Sequence, residues 1–267
     1  MPFSPLKIAA SLAILASSAS FAQTKAPEPD YTLAYNVGVV TDYRFRGLSQ
    51  TSLKPALQLG VDFAHKDGFY LGAFGSNVSW IKDFNLATKG SYEVDLYGGL
   101  KGKITEDLGF DVGLIAYTYP NNNSGKLGTP GAGSYSNANT NEIYAGLTYN
   151  VFSFKYSRSL GDFLGNLRSN GSQYFDLSAT FDLGEGFSLT PHVGRQTVPN
   201  QNFGGSTDGK AANYMDYALT LGKDFGNGLS GTAALVGTDT KTAGFYRDSN
   251  NKDLGKGTLV VGLKYSF

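Results

Sequence analysis

Residues 31–45 read Y-T-L-A-Y-N-V-G-V-V-T-D-Y-R-F. Tyr31, Leu33, Tyr35, Val37, Val39, Thr41, Tyr43 and Phe45 share one parity; Thr32, Ala34, Asn36, Gly38, Val40, Asp42 and Arg44 share the other. Such an alternation predicts a single strand with one apolar and one polar face. A strand of this length greatly exceeds the usual ~5–6 residues. The fold depends on where the apolar face points, and so on whether the rest of the chain repeats the pattern.

It does. Leu57, Leu59, Val61 and Phe63 alternate with Gln58, Gly60 and Asp62; Tyr92, Val94, Leu96 and Leu100 alternate with Glu93, Asp95, Tyr97 and Lys101. The stretch 69–80 reads as a strand of less clear parity, and the same two-faced reading fits the stretches around 110–119, 142–150, 152–158, 173–182, 187–196, 213–222, 229–238 and 258–267. About twelve strands result, an even number as in single-chain bacterial outer-membrane barrels. Short connections (H-K-D-G, G-K-I-T-E-D-L-G, N-V, D-L-G-E-G, D-F-G-N-G) alternate with long ones near 47–55, 81–90, 120–141, 159–171, 197–212 and 239–256. That alternation puts every long loop on one side of the sheet. The fold expected is all-β: a closed antiparallel transmembrane β-barrel with short periplasmic turns and long extracellular loops.

A secreted β-sandwich is the competing reading, with its apolar face turned inward. Three features weigh against it. Loop lengths alternate too regularly, the strands are long, and aromatic residues cluster near strand ends with Leu, Val and Ala between them. Tyr31, Tyr43, Phe45, Phe110, Tyr149, Phe152, Phe181, Phe187, Tyr217, Tyr265 and Phe267 then read as interfacial girdles. The last stretch, T-L-V-V-G-L-K-Y-S-F, runs in strand pattern to Phe267. It is expected to pair with the first strand, because an unpaired edge in lipid leaves polar groups unsatisfied. Its alternation ending in an aromatic resembles the signal read by the β-barrel assembly machinery.

Composition narrows the function. Of 267 residues, 22 are Lys or Arg and 22 are Asp or Glu, so no basic excess points to nucleic acid. Cysteine is absent, which removes disulfides, thiolate catalysis and Cys-based metal sites. Residues 1–22, with Lys7, an apolar run from Ile8 to Ala16 and a small-residue end at Ala22, read as a signal peptide. Residues 23–30 then form a short leader and 31–267 the barrel. No later run is apolar enough for a spanning helix. The expected location is the bacterial outer membrane, with its lipid and lipopolysaccharide as surroundings.

The stretch 37–80, V-G-V-V-T-D-Y-R-F-R-G-L-S-Q-T-S-L-K-P-A-L-Q-L-G-V-D-F-A-H-K-D-G-F-Y-L-G-A-F-G-S-N-V-S-W, resembles the TorF family of porins of Gram-negative bacteria. E-V-D-L-Y-G-G-L-K-G (93–102), N-E-I-Y-A-G-L-T-Y-N-V-F-S-F-K-Y-S (141–157), Y-F-D-L-S-A-T (174–180) and H-V-G-R-Q (192–196) agree with it more weakly. The resemblance covers most of 31–267. It implies an outer-membrane barrel with a channel role and little defined biochemistry.

Parity and strand direction place acids at the long-loop end of the lumen: Asp42, Glu93, Asp95, Glu142, Asp176 and Asp216, answered by Arg44 and Arg46. Lys101, Lys155 and Lys264 fall lower, with Asp62 and Asp111. Two readings stay open. An acidic ring would favour cations, whereas acids neutralised by the arginines would brace a plug. Gly38, Gly60, Gly113, Gly146 and Gly194 on the inner face leave space, which favours a pore. The segment 120–141 either folds inward or forms a disordered surface loop, as its composition favours.

A barrel hydrolase needs an activated nucleophile. His65 lies in a short turn. His192 faces inward, but Gly194 stands where a serine would be wanted, so His192 reads as a hydrogen-bonding lumen residue. Pro191 beside it suggests a bulge. Glu93 and Asp95 could hold a hard cation, though a salt bridge is the plainer role. No cofactor is implied. The function expected is passive diffusion of small hydrophilic solutes, with a lean toward cations; a structural or adhesive barrel acting through its long loops is the alternative.

Overall fold

The computed structural model describes residues 29–240 and 244–267; the expected signal peptide lies outside them. Twelve long strands form the wall: β1 Tyr31–Val40, β2 Ala56–His65, β3 Phe69–Asn77, β4 Tyr92–Lys103, β5 Leu108–Thr118 and β6 Thr140–Tyr149. They continue with β7 Phe152–Ser159, β8 Gln173–Ala179 resuming as Phe181–Gly184, β9 Phe187–Thr197, β10 Tyr214–Gly226, β11 Leu229–Thr238 and β12 Thr258–Ser266. Each pairs antiparallel with its neighbours in the chain. The sheet closes where β1 meets β12, from Asn36↔Ser266 to Val40↔Gly262. Beyond the ladder, Tyr35 and Phe267 exchange both backbone hydrogen bonds at 2.9 Å and stack their rings at 5.8 Å. Closure satisfies the edge that lipid would not.

The apolar parity faces out. Leu57, Leu59, Leu71, Leu96, Leu114, Leu235 and Leu259 are all more than half exposed, while Glu93, Glu142 and Asp216 on the other parity are 1–2% exposed. This inverts the arrangement of a soluble sandwich and fits a wall surrounded by hydrocarbon. Tyr31, Tyr149, Phe152, Phe181, Tyr265 and Phe267 are exposed at the short-turn end, and Tyr92 and Tyr217 toward the other. No described helix is long and apolar enough to cross a membrane.

The short turns follow their residues. Asn227 and Gly228 have φ of 51° and 80°, the left-handed pair of a tight hairpin. A Cβ on Gly228 would lie 2.1 Å from the Ser266 carbonyl oxygen. Pro191 does not make the expected bulge. The β8–β9 ladder stops at Ser178↔His192 and resumes at Phe181↔Leu189 in unchanged register. The missing N–H thus shows as a gap in the ladder opposite Ala179 and Thr180.

The first strand is shorter than its alternation suggests. It ends at Val40 with one further bond from Thr41 to Val261, and the chain from Asp42 to Ser52 turns into the lumen. There Arg44–Phe45 and Leu48–Ser49 form a small hairpin with a sheet of its own. Tyr43 and Phe45 therefore belong to the interior, not to an aromatic girdle. The reversal needs left-handed backbone at Arg46 (φ 48°) and Gly47 (φ 79°). Above the hairpin, the short helix α1, Trp80–Asp83, and the other long loops bury two apolar clusters. One gathers Val78, Trp80, Ile81, Tyr117, Tyr119 and Ala138; the other gathers Phe163, Val198 and Ala212, with Phe45 packed against both.

Candidate functional site: a braced lumen

The inserted hairpin is tied to the wall by charge. Arg44 Nε donates to Asp42 Oδ2 at 2.6 Å, and its Nη1 to the carbonyls of Gly47 (2.8 Å) and Leu254 (3.1 Å). Ser49 Oγ donates to the other Asp42 oxygen at 2.5 Å. Arg46 reaches across the lumen: Nη2 donates to Glu142 Oε2 on β6 at 2.6 Å, and Nη1 to Gln196 Oε1 on β9 at 2.8 Å. Its guanidinium lies 4.4–5.4 Å from the ring centroids of Tyr174, Phe45 and Phe163. With both partners of the Arg46–Glu142 pair at least nine-tenths buried, the geometry is that of a brace.

The other inward groups are engaged differently. Glu93 and Asp95 make no salt bridge among the described residues, contrary to the plainer expectation; Glu93 Oε1 accepts from the Tyr43 hydroxyl at 2.8 Å. Burial, then the neighbouring Glu93 and Asp95 charges, pushes the Tyr43 phenol well above its ordinary range, so it stays a donor. His192 lies between two acids, Nε2 2.7 Å from Asp216 and Nδ1 3.4 Å from Asp176, with the Tyr174 hydroxyl donating to Asp216 at 3.0 Å. No group of three or more His, Asp or Glu among the described residues is placed to hold a metal.

The inner-face glycines leave less open space than their sequence positions suggest. Tyr97 on β4 lies over Gly72 on β3 and donates to Asp62 on β2 at 2.5 Å; a Cβ on Gly72 would come within 2.3 Å of that ring. Tyr174 on β8 similarly covers Gly194 on its way to Asp216 on β10. Tyr144 covers Gly113 and meets the Tyr70 hydroxyl, which donates to Asp111 at 2.5 Å. These glycines seat tyrosine crossbars. Gly60 likewise receives the side chain of Asn36. Nearer the short turns the lumen is more open. The Lys155 ammonium is 3.8 Å from the Tyr144 ring centroid and Lys101 is 5.3 Å from that of Tyr70.

The segment 120–141 is folded, not a loose surface loop. Asn122 donates to the Tyr119 carbonyl (2.8 Å) and to Asn139 (3.0 Å), Asn85 donates to Ser124 (3.1 Å), and Ala138 is fully buried. Trp80, Phe163 and Tyr246, which help close the mouth, went unmarked in the sequence reading. Their signal is a large ring with an apolar neighbour inside a long loop: Trp80 with Ile81, Phe163 with Leu164 and Tyr246 with Phe245.

A closed antiparallel barrel with an oily exterior and a charged interior is the architecture of outer-membrane β-barrel proteins. The chain belongs to the Gcw_chp family, bacterial proteins of unknown function, whose model matches residues 24–267. No curated protein matches the sequence. Among solved structures it is similar to the KdgM porin (TM-score 0.51, 9% identity, 88% of this chain and 98% of that one). It is also similar to the NanC porin (TM-score 0.53, 11% identity, 88% and 99%). At such identity the likeness speaks for the fold.

Proposed function

We propose that the protein is a porin-like channel of a bacterial outer membrane, shut in this conformation by its first long loop. The observation that carries the reading is the division of the barrel. Its wall is complete without residues 42–54, since β1 and β2 pair over ten successive residues, Thr41 bonds to Val261 on β12, and the hairpin belongs to a separate sheet. The plug is held by side chains and by backbone hydrogen bonds to the neighbouring mouth loops, Ser49 N–H to the Leu254 carbonyl and Ser79 N–H to the Gln50 carbonyl, so it can leave without breaking a ladder of the wall. The resemblance to TorF porins supports the same role.

Charge suggests the solute. Asp62, Glu93, Asp95, Asp111, Asp176 and Asp216 line the wall on the inner parity, with Lys101, Lys103, Lys155, Lys264 and His192 as inward cations. Asp42 and Glu142 are neutralised while the arginines of the loop are docked. Displacing the loop would withdraw Arg46 and leave an acidic lumen, which favours small neutral or cationic solutes. One KdgM structure holds disordered oligogalacturonate, a polyanion; the acid excess here points away from such a ligand. An adhesive role for the long loops or a barrel hydrolase would leave these features without use.

Recording from planar bilayers tests the reading. The refolded protein should show rare openings, and a variant with residues 42–54 replaced by a short Gly-Ser linker should conduct steadily with cation preference. Absence of conductance in the linker variant would refute the channel.

A further inference from the structure

Between the first loop and the second, fourth and sixth lies a cavity of about 40 Å³. Its walls are largely aromatic, with Phe45, Trp80, Phe163, Tyr214 and Tyr246 among them. Two polar atoms in this lining are buried without a hydrogen-bond partner: the donor Trp80 Nε1 and the acceptor Gln50 Oε1. Both side chains belong to residues that are 5% exposed. Three other polar groups around the cavity are already paired. Ser49 donates to Asp42, the Asn166 amide to the Phe163 carbonyl, and the Tyr246 hydroxyl to the Ala212 carbonyl.

An orphaned buried donor or acceptor costs about 1–3 kcal/mol, so the pair is a standing demand for a ligand. The complementary group must accept from Trp80 and donate to Gln50. A hydroxyl offers both an acceptor and a donor. Among the described residues no charged side chain lines the cavity, so an ionised group would find no counter-charge among them. Its volume is well below the ~150 Å³ that holds benzene, so an aromatic ring is excluded. We propose that this cavity is a binding site for a small neutral alcohol, a hydroxyl on a short apolar body, seated where the plug meets the mouth loops.

Trp80 is the only tryptophan in the chain, so its emission reports the site directly. The full mature protein, refolded in detergent micelles, is titrated with ethanol and, separately, with acetonitrile, which is similar in size but only accepts. Ethanol should change Trp80 emission saturably, and acetonitrile should not. Gln50→Leu should weaken ethanol binding about tenfold, as loss of one hydrogen bond implies. Leu164→Phe, which fills the cavity from the facing wall, should abolish saturation and serves if the first variant does not refold. A linear response shared by wild type and both variants, or equal binding of acetonitrile, overturns the proposal and leaves the cavity to water. The readout needs no conductance, so its failure is separate from failure of the channel reading.

Discussion

Glu142→Gln gives the sharpest test of the plug. The substitution keeps the size of the side chain and removes the charge opposite Arg46. The guanidinium would then be buried between two neutral amides, the substituted one on β6 and Gln196 on β9, with the three rings around it and no counter-charge. Removing one partner of a buried ion pair costs about 3–5 kcal/mol. Here the cost falls on the docked state alone, because the undocked Arg46 is solvated. Opening should therefore become more favourable by roughly two to three and a half decades, at about 1.4 kcal/mol per decade. The wall should survive, since β6 keeps both its ladders, and a shift in migration between unheated and boiled samples on gels, the same as that of the wild type, would confirm an intact barrel. In planar bilayers the variant should be open for most of the record where the wild type is mostly shut. Adding Arg46→Met should restore closure, because the pair can be replaced by apolar volume. If Glu142→Gln gates like the wild type while the barrel is intact, Arg46 is no brace and the argument fails.

Other outcomes follow from the same structure. Leu114→Arg, on an exposed mid-strand position of β5, should lower barrel stability in lipid by about 2–4 kcal/mol, measured by denaturant titration in liposomes; a neutral effect would mean this face does not meet hydrocarbon. Gly72→Ala drives a methyl into the Tyr97 ring and should destabilise by about 1–3 kcal/mol, with Gly72→Ala/Tyr97→Ala recovering part of the loss. Asp176→Asn in the plug-replaced channel should reduce cation preference, read as a shift in reversal potential under a salt gradient. His192→Ala should leave conductance in place, whereas a His-dependent hydrolase would lose all turnover.

The wall was legible because alternation, loop length and parity all report the same thing: which side of a strand meets lipid. Leu96 outside and Asp95 inside could be assigned from spacing alone. The first loop was not legible for a related reason. Thr41, Asp42 and Tyr43 continue the alternation of β1, yet the backbone bends inward at Thr41–Asp42 and reverses at Arg46 and Gly47 through positive φ, with Gly47 as the one written sign. The glycines misled in the opposite direction. A missing side chain marks close approach by something else, and the sequence does not say whether that is water or a tyrosine from the next strand. Trp80 and Phe163 look like stray apolar residues until six loops are brought together at one end, a contact of distant segments that local pattern cannot encode.

The pairing of β1 with β12 has a kinetic consequence. The two halves of that seam, Tyr35 and Phe267 among them, are separated by nearly the whole chain, so this is the contact of highest sequence separation in the wall. Every other rung is a local hairpin that can zip early, but the ring cannot shut until the final strand has arrived. A nascent barrel must spend that interval as a curled sheet with two bare margins, and whatever shields those margins decides whether it matures or aggregates.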